Sequence, residues 1–451
     1  QSTPYKEVTE LENGNYLKID VRDLKKKQVK WFNIENYYLT KNELPYHRTL
    51  EKLDELLQLS VRRRLDSSDL DVGTFLSGGI DSGLVTAIAA KHQPAIKTFT
   101  VRMQGGYDES ALAQQVADKF KTQHTVVDIS FDNLESDIEN ILLNYGEPFC
   151  DNSAIPSYYV AKAAKEHVTV VLNGDGADEL FGGYRRHVPF RYFDFFNTGA
   201  VTKNIAQLLT GILPVAHEKM STYNYVYRLL KFSGYSNILQ LYNSATANVF
   251  VGYENKFLVQ PDTSHISEDL QYISSLKTSS LKKLLLMDFQ TILFNMLLPK
   301  MDIATMAHSL EGRSPFLSKE LLEFAPGLRD SCKVKGITTK FILRDLAKKY
   351  LPPDLINQPK RGFEIPLKKW IDHQLRDIIH DYLLSSDALY PQLINKIFIQ
   401  NILTKKENVS DERRAKILLS VFSLEVWYKN YQNRTSARLK STISQASSIE
   451  I

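Results

Sequence analysis

The sequence predicts an α/β protein: a parallel sheet with helices on both faces, followed by a mainly helical C-terminal half. Three observations predict it. Short apolar runs at 72–76, 96–101, 125–129 and 169–172 alternate with segments of helical periodicity, the pattern of repeated strand–helix–strand units. The first run ends in Ser77-Gly78-Gly79-Ile80-Asp81-Ser82, a sharp turn leading straight into a helix. Beyond about residue 190 strand signals fade while aromatic residues stay frequent.

The elements follow in order. Residues 5–11, 16–21 and 29–32 read as short strands, the first two separated by Glu12-Asn13-Gly14-Asn15. They carry too little apolar surface for a domain of their own and are expected to pair with structure outside this chain. Residues 47–65 read as a helix, with Leu50, Leu53, Leu56, Leu57 and Val61 at helical spacing. Further helices are predicted at 84–90, 110–120, 134–143 and 154–164, between the four sheet strands. The most apolar stretch, 284–298, is interrupted by Asp288, Gln290 and Asn295, so it reads as a buried helix and not a membrane span. Residues 436–451 are Ser-rich and polar, a composition that predicts disorder.

At 451 residues the chain is long enough for one large core plus a second domain or extension. A net charge of +4 is small for this length. The basic clusters Lys25-Lys26-Lys27 and Arg62-Arg63-Arg64 are short and read as solvated faces, so no nucleic-acid partner is predicted. Cys150 and Cys332 stand far apart and build no disulfide framework or Cys-rich zinc site, which fits a reduced, cytoplasmic setting. The start, Gln1-Ser2-Thr3-Pro4-Tyr5, is neither a signal peptide nor an initiator methionine, and reads as a start within a longer protein.

The chemistry begins at SGGIDS. Gly78 and Gly79 let backbone turn sharply and approach a phosphate. Ser77 and Ser82 add hydroxyl donors, and amides from Ile80 onward open a helix whose N-terminus favours anions. Asp81 would repel phosphate directly and reads as a magnesium ligand. Together they suit a grip on pyrophosphate while ATP is split between its α- and β-phosphates. The plain alternative is a tight strand-to-helix turn with a Ser cap. No GxxxxGK[ST] occurs and no GxGxxG follows a strand, so neither a kinase-type phosphate loop nor a dinucleotide fold is supported. After the last strand comes Asn173-Gly174-Asp175-Gly176-Ala177-Asp178-Glu179. Alone this could be a hydrated turn and helix cap, or a calcium-like loop without EF-hand spacing.

Continued as Leu180-Phe181-Gly182-Gly183-Tyr184 downstream of SGGIDS, it resembles the synthetase domain of glutamine-dependent asparagine synthetases. PKMDIATMAHSLEGRSPFL at 299–317, Lys340-Phe341-Ile342-Leu343-Arg344 and KRGFEIPL at 360–367 resemble that family's later blocks, in order. The resemblance implies a PP-loop (HUP-type) nucleotide fold at 47–435, preceded at 1–46 by a remnant of the glutaminase domain's β structure. It implies ATP and Mg²⁺ as cofactors, with aspartate and ammonia as substrates. The aspartate side chain is adenylated, pyrophosphate leaves, and ammonia displaces AMP, one hard step split into two. Ser77, Gly78, Gly79, Asp81 and Ser82 would hold the pyrophosphate end. Leu76 and Val101 would place adenine through backbone groups. Gly174 would lie close to the nucleotide, and Asp81 and Asp178 would bind the magnesium. Lys340 would neutralise charge on the transferring phosphorus, and Asp175 would take a proton from attacking ammonia.

Two departures bear on substrate and nitrogen source. The family's glutaminase domain uses an N-terminal cysteine, whereas this chain starts with Gln1; alone it is expected to use free ammonia, with the glutaminase domain as the partner that supplies it. The best-known asparagine synthetases carry Glu where Asp175 stands and usually Ser where Asn173 stands, and related β-lactam synthetases carry Tyr at the Asp175 position. Asp151-Asn152-Ser153-Ala154-Ile155-Pro156 and GDGADELFGGY resemble a bacterial subgroup associated with surface polysaccharides. The alternative reading is therefore amidation of another carboxylate, such as a uronic acid, and after that a non-catalytic nucleotide-binding relative. A homo-oligomer is compatible with the sequence. Asp302, Glu311 and Arg313 read as a structural ion-pair network, and His124 and His308 as packing or hydrogen-bonding residues and not metal ligands.

Overall fold

The computed structural model describes residues 3–103, 108–196, 235, 237–246, 249–250, 253–259, 268–358 and 365–447. A two-stranded antiparallel hairpin comes first, β1 (Asn15–Ile19) with β2 (Lys26–Lys30). Tyr16, Leu17, Ile19 and Trp31 remain exposed, so the hairpin has no core of its own. The strand expected at 5–11 is not formed. Tyr5 instead packs against Trp427 and Tyr431 and donates its hydroxyl to the Gly146 carbonyl at 2.5 Å. Aromatic docking wins over the weak alternation of a seven-residue stretch.

Helix α1 (Ile34–Leu39) leads to α2 (Tyr46–Asp66), whose Leu53, Leu57 and Val61 are fully buried. A five-stranded parallel sheet follows, built from β3 (Val72–Phe75), β4 (Lys97–Met103), β5 (Gln123–Ile129), β6 (Val170–Leu172) and β7 (Glu311–Arg313). Its order is β5-β4-β3-β6-β7. The chain steps from β3 outward to β5, then returns to the opposite side of β3 for β6. Right-handed crossovers place the connecting helices on opposite faces when the direction reverses. Accordingly α3 (Ile80–His92) and α4 (Ser110–Phe120) share one core with α2, while α5 (Leu134–Leu143) and α6 (Ala154–Lys165) share another with residues 367–426. Helix α3 is apolar nearly all round and buried from Ile80 to Ala90 except at Asp81, as a central helix must be.

Three expectations are corrected. The block at 299–317, whose resemblance is to a long helical signature of the family, contains β7, because Thr305 and Ser309 end the helix and Glu311 N–H donates to the Thr169 carbonyl at 2.9 Å. Within that block Glu311 and Arg313 do pair, at 2.8 Å, but Asp302 is exposed and outside the pair. The polar tail expected to be disordered is helical as far as Ser447, within a helix running Asp411–Ser447. No Gly or Pro interrupts that stretch, and adding a turn to an existing helix needs no new nucleus. The apolar stretch lies in a continuous helix, Ser280–Met306, long and apolar enough by composition to cross a membrane. Its middle, Phe289–Leu297, is π-helical. Buried Asp288 pairs with His187 and Arg186, and buried Lys300 donates to Ser153 Oγ at 3.0 Å, so it serves as a core helix. The late block at 360–364 lies outside the described residues.

The turn after β6 depends on Gly176. Its φ is +86°, and a Cβ there would stand 2.4 Å from Leu317 Cδ2. Gly176→Ala is expected to lower stability by roughly 1–3 kcal/mol through strain and overlap, read as a lower thermal unfolding midpoint. An unchanged midpoint would mean that this turn tolerates a side chain.

Candidate active site

In open parallel sheets, ligands bind beyond the C-terminal strand ends where neighbouring connections part company. Here that point lies between β3, whose connection runs to β4, and β6, whose strand neighbour on the other side is β7. SGGIDS follows β3 and Asn173-Gly174-Asp175 follows β6. The two loops touch: a Cβ on Gly174 would lie 2.9 Å from Asp81 Cβ and 3.2 Å from Ser82 N. Gly174 therefore lets the β6 loop close on the start of α3, an approach to the phosphate-type loop itself.

The centre of the site is a lysine held between two carboxylates. Lys340 Nζ lies 2.5 Å from Asp81 Oδ2 and 2.7 Å from Asp178 Oδ1. It is 3% exposed, so it is no surface lysine. The chain presents it from a left-handed residue, φ +51°, just before the helix Phe341–Ala347, with its N–H donating to the Gly182 carbonyl at 3.3 Å. Asp178 comes from the short α7 (Ala177–Phe181), which turns away through Gly182 and Gly183. A Cβ on Gly183 would fall 1.7 Å from Asp178 Oδ1 and 2.3 Å from Lys340 Cε. Only glycine fits beside this ion pair. The paired glycines at 182–183 were the sequence signal for it.

The loop itself is braced internally. Ser77 N–H donates to Ser82 Oγ at 3.1 Å, Gly79 N–H to Ser77 Oγ at 3.2 Å, and the two hydroxyls lie 2.8 Å apart. Gly78 N–H donates to Glu109 Oε2 at 3.1 Å. The amides left for a ligand are those of Ile80, Asp81 and Ser82, which precede the first intrahelical bond, from Gly83 N–H to the Gly79 carbonyl at 3.1 Å. At the end of β3, Leu76 N–H donates to Phe99 O at 2.8 Å and the Leu76 carbonyl accepts from Thr100 Oγ at 2.5 Å. Strand alternation turns Val101's N–H and C=O toward the same side as Phe99's, past the last residue of β3. Asp175 is half-buried, its N–H donating to Asn173 Oδ1 at 3.3 Å and its carbonyl accepting from Ser314 Oγ at 2.5 Å.

The donor set suits magnesium. Among the described residues no group of three His, Cys, Asp or Glu side chains has metal-site geometry, and Asp81 Oδ1 is buried without a hydrogen-bond partner. Magnesium is commonly held by one or two carboxylates plus substrate phosphates, which Asp81 and Asp178 match.

Behind Asp178 lies a buried network that no local sequence pattern signals. Tyr184 Oη donates to Glu179 Oε1 at 2.5 Å, and Tyr184 N–H donates to His187 Nδ1 at 3.3 Å. That leaves His187 Nε2–H to donate to Asp288 Oδ2 at 2.8 Å, where Arg186 also donates at 3.0 Å. Burial pushes His187 toward its neutral form against the pull of Asp288. His187 and Asp288 meet across the fold from distant parts of the chain. His124 Nδ1 lies at hydrogen-bond distance, 2.9 Å, from Thr98 Oγ1, and the His308 ring packs edge-on against Tyr158.

The asparagine synthase family model matches residues 52–429. The chain belongs to the asparagine synthase family. It is 30% identical over 374 residues to asparagine synthetase (glutamine-hydrolyzing) 1 of Bacillus subtilis (strain 168), covering 80% of this chain and 56% of that protein. It is 31% identical over 332 residues to a putative asparagine synthetase (glutamine-hydrolyzing) of Mycobacterium bovis, covering 71% of this chain and 49% of that protein. A second Bacillus subtilis asparagine synthetase is 25% identical over 459 residues, 96% of this chain and 56% of its own length. The chain thus spans about half the length of the curated relatives it matches. Both carboxylates, the lysine and the glycines around them fall inside the family match.

Two predictions follow from this geometry. Gly183→Ala should push Asp178 or Lys340 out of place and abolish the pyrophosphate binding proposed below, as read by calorimetry. Wild-type binding by Gly183→Ala would show that the close packing is dispensable. The second concerns Glu179, which burial, and then the Asp178 charge, raise from 4.5 to about 7. The folded state holds this proton more tightly than the unfolded one, so stability falls as pH rises from about 4.5 to about 7. Glu179→Gln should flatten that fall in unfolding titrations across the same pH window; an unaltered slope would assign it to other groups.

Proposed function

We propose that this chain activates a carboxylate with ATP and amidates it with ammonia, with aspartate as the carboxylate and asparagine as the product. The Asp81–Lys340–Asp178 constellation at the switch point of the sheet is the observation that carries this reading. A side-chain oxygen of aspartate attacks the α-phosphorus, the bond to the β-phosphate oxygen breaks, and pyrophosphate leaves. Ammonia then attacks the acyl carbon, AMP departs with the bonding pair, and a proton from nitrogen passes to the Asp175 carboxylate. Amides at the start of α3 take phosphate oxygens at the helix N-terminus. Lys340, already desolvated and aimed by two carboxylates, supplies positive charge that offsets the negative charge building on the phosphoryl oxygens. Magnesium held by Asp81 and Asp178 would neutralise the pyrophosphate leaving group. Leu76 and Val101 place adenine at the ends of β3 and β4.

Ammonia is proposed to come from solution or from a glutaminase partner, in a cytoplasmic setting. A second reading, amidation of a uronic acid or similar carboxylate, draws on Asp175. It is one methylene shorter than glutamate and sets the base back by about 1.5 Å, room for a different acyl acceptor geometry.

The test is pyrophosphate release with ATP, Mg²⁺ and ammonium, with and without aspartate. Aspartate-dependent release with asparagine formed is expected; release dependent on another carboxylate would select the second reading. Asp81→Ala and Lys340→Ala should each lower release by about a hundredfold or more. Asp175→Ala should leave ATP binding intact and cut amide yield. Wild-type rates in all three would remove these residues from the mechanism.

A further inference from the structure

Gly78 lies in the loop expected to grip pyrophosphate, yet its N–H is held by a protein carboxylate, Glu109 Oε2, at 3.1 Å. Glu109 stands at the N-cap of α4 and makes no side-chain capping bond to its own helix. Its carboxylate reaches back across the fold to the β3 loop instead. Gly78 is what permits the contact: a Cβ there would lie 3.0 Å from Glu109 Cβ and 3.1 Å from Leu112 Cδ1. The missing side chain at 78 thus serves the approach of α4 as well as any approach of phosphate. Ser77 and Gly79 amides bond to the loop's own hydroxyls. Gly78 is the loop amide whose acceptor comes from a separate element and carries negative charge.

Resting on the adenylating function proposed above, we propose that Glu109 is a displaceable occupant of the pyrophosphate loop and sets its affinity for pyrophosphate. Its carboxylate holds the Gly78 N–H until a phosphate oxygen takes that donor. A carboxylate and a phosphate oxygen compete for one N–H, and two anions do not share it at hydrogen-bond distance. The apparent affinity of the loop is then the intrinsic affinity multiplied by the fraction of molecules in which Glu109 has withdrawn. The same competition works after the chemistry: Glu109 returning to Gly78 helps expel the pyrophosphate product.

The experiment is calorimetric titration of the purified chain with sodium pyrophosphate in Mg²⁺ buffer, for wild type, Glu109→Gln and Glu109→Ala. Ala frees the donor and removes the charge; Gln keeps an acceptor without the charge. Pyrophosphate should bind roughly fivefold or more tightly to Glu109→Ala, with Glu109→Gln between it and wild type. Unchanged or weaker binding by Glu109→Ala would overturn the proposal and make the contact a structural brace. Wild-type binding with that result would leave the adenylating function standing. No pyrophosphate or ATP binding by any of the three proteins would overturn both. Circular dichroism and thermal midpoints, expected to match wild type, separate lost affinity from lost fold.

Discussion

The site hangs on one buried cation. Lys340 is nearly enclosed, and a buried ammonium is tolerable only with charged partners at contact distance. It has two, Asp81 from the start of α3 and Asp178 from α7. The same requirement works in reverse, since neither carboxylate could be buried beside the other without the lysine. Three segments far apart in the chain are thereby locked into one geometry. The left-handed backbone at Lys340 and the bare Cα of Gly183 are local costs of that arrangement, offset by the ion pairs. A strained residue and an obligatory glycine at the same spot indicate that the surrounding fold dictates the position.

That fold supplies the position through strand order. Because β6 returns to the far side of β3, the loops after the two strands open toward each other, and Gly174 closes the gap between them. The ends of β3 and β4 are staggered, which leaves Val101's backbone groups facing beyond Phe75. The phosphate end and the adenine end of the proposed nucleotide path are therefore both consequences of where strands stop. Behind them, the Tyr184–His187–Asp288 chain ties the α7 turn to the long helix Ser280–Met306, whose own helical hydrogen bonding shifts to the π form just after Asp288. Side chains that touch no ligand path thus set the stance of those that do.

What was legible in the sequence was mostly what chain-local physics controls. Apolar runs between turn residues located the four sheet strands between 72 and 172, and helical periodicity placed α4 and α5 at their observed bounds. SGGIDS and GDGADE were visible because glycine and carboxylate types cluster within a few residues. Strand β7 was hidden, since three polar residues, Glu311-Gly312-Arg313, have no strand signature and pair only because β6 offers an edge. The partners of Asp288 and Glu109 were hidden for the same reason, as tertiary placement alone creates them. The tail past 435 was misread from composition, which ignores that a helix already formed continues through serine at small cost per residue.

The bracing of the loop decides how the site can grip an anion. Hydroxyls of Ser77 and Ser82 hold the loop's own amides and one another, so the loop arrives pre-shaped and little conformational entropy remains to be lost on binding. That shape has a consequence for donor supply. With the loop amides engaged, the first-turn amides of α3 and the Lys340 ammonium are the remaining attraction for phosphate, set against the carboxylates of Asp81 and Asp178. Arg344 lies close enough to feel both carboxylates, so Asp81 and Asp178 face two cations, and a magnesium ion brought in with the proposed pyrophosphate would add charge that offsets the polyanion. The lysine that makes the carboxylates compatible with burial is held by them in turn, so a phosphate drawn to it under the proposed function competes with Asp81 and Asp178 for the same ammonium.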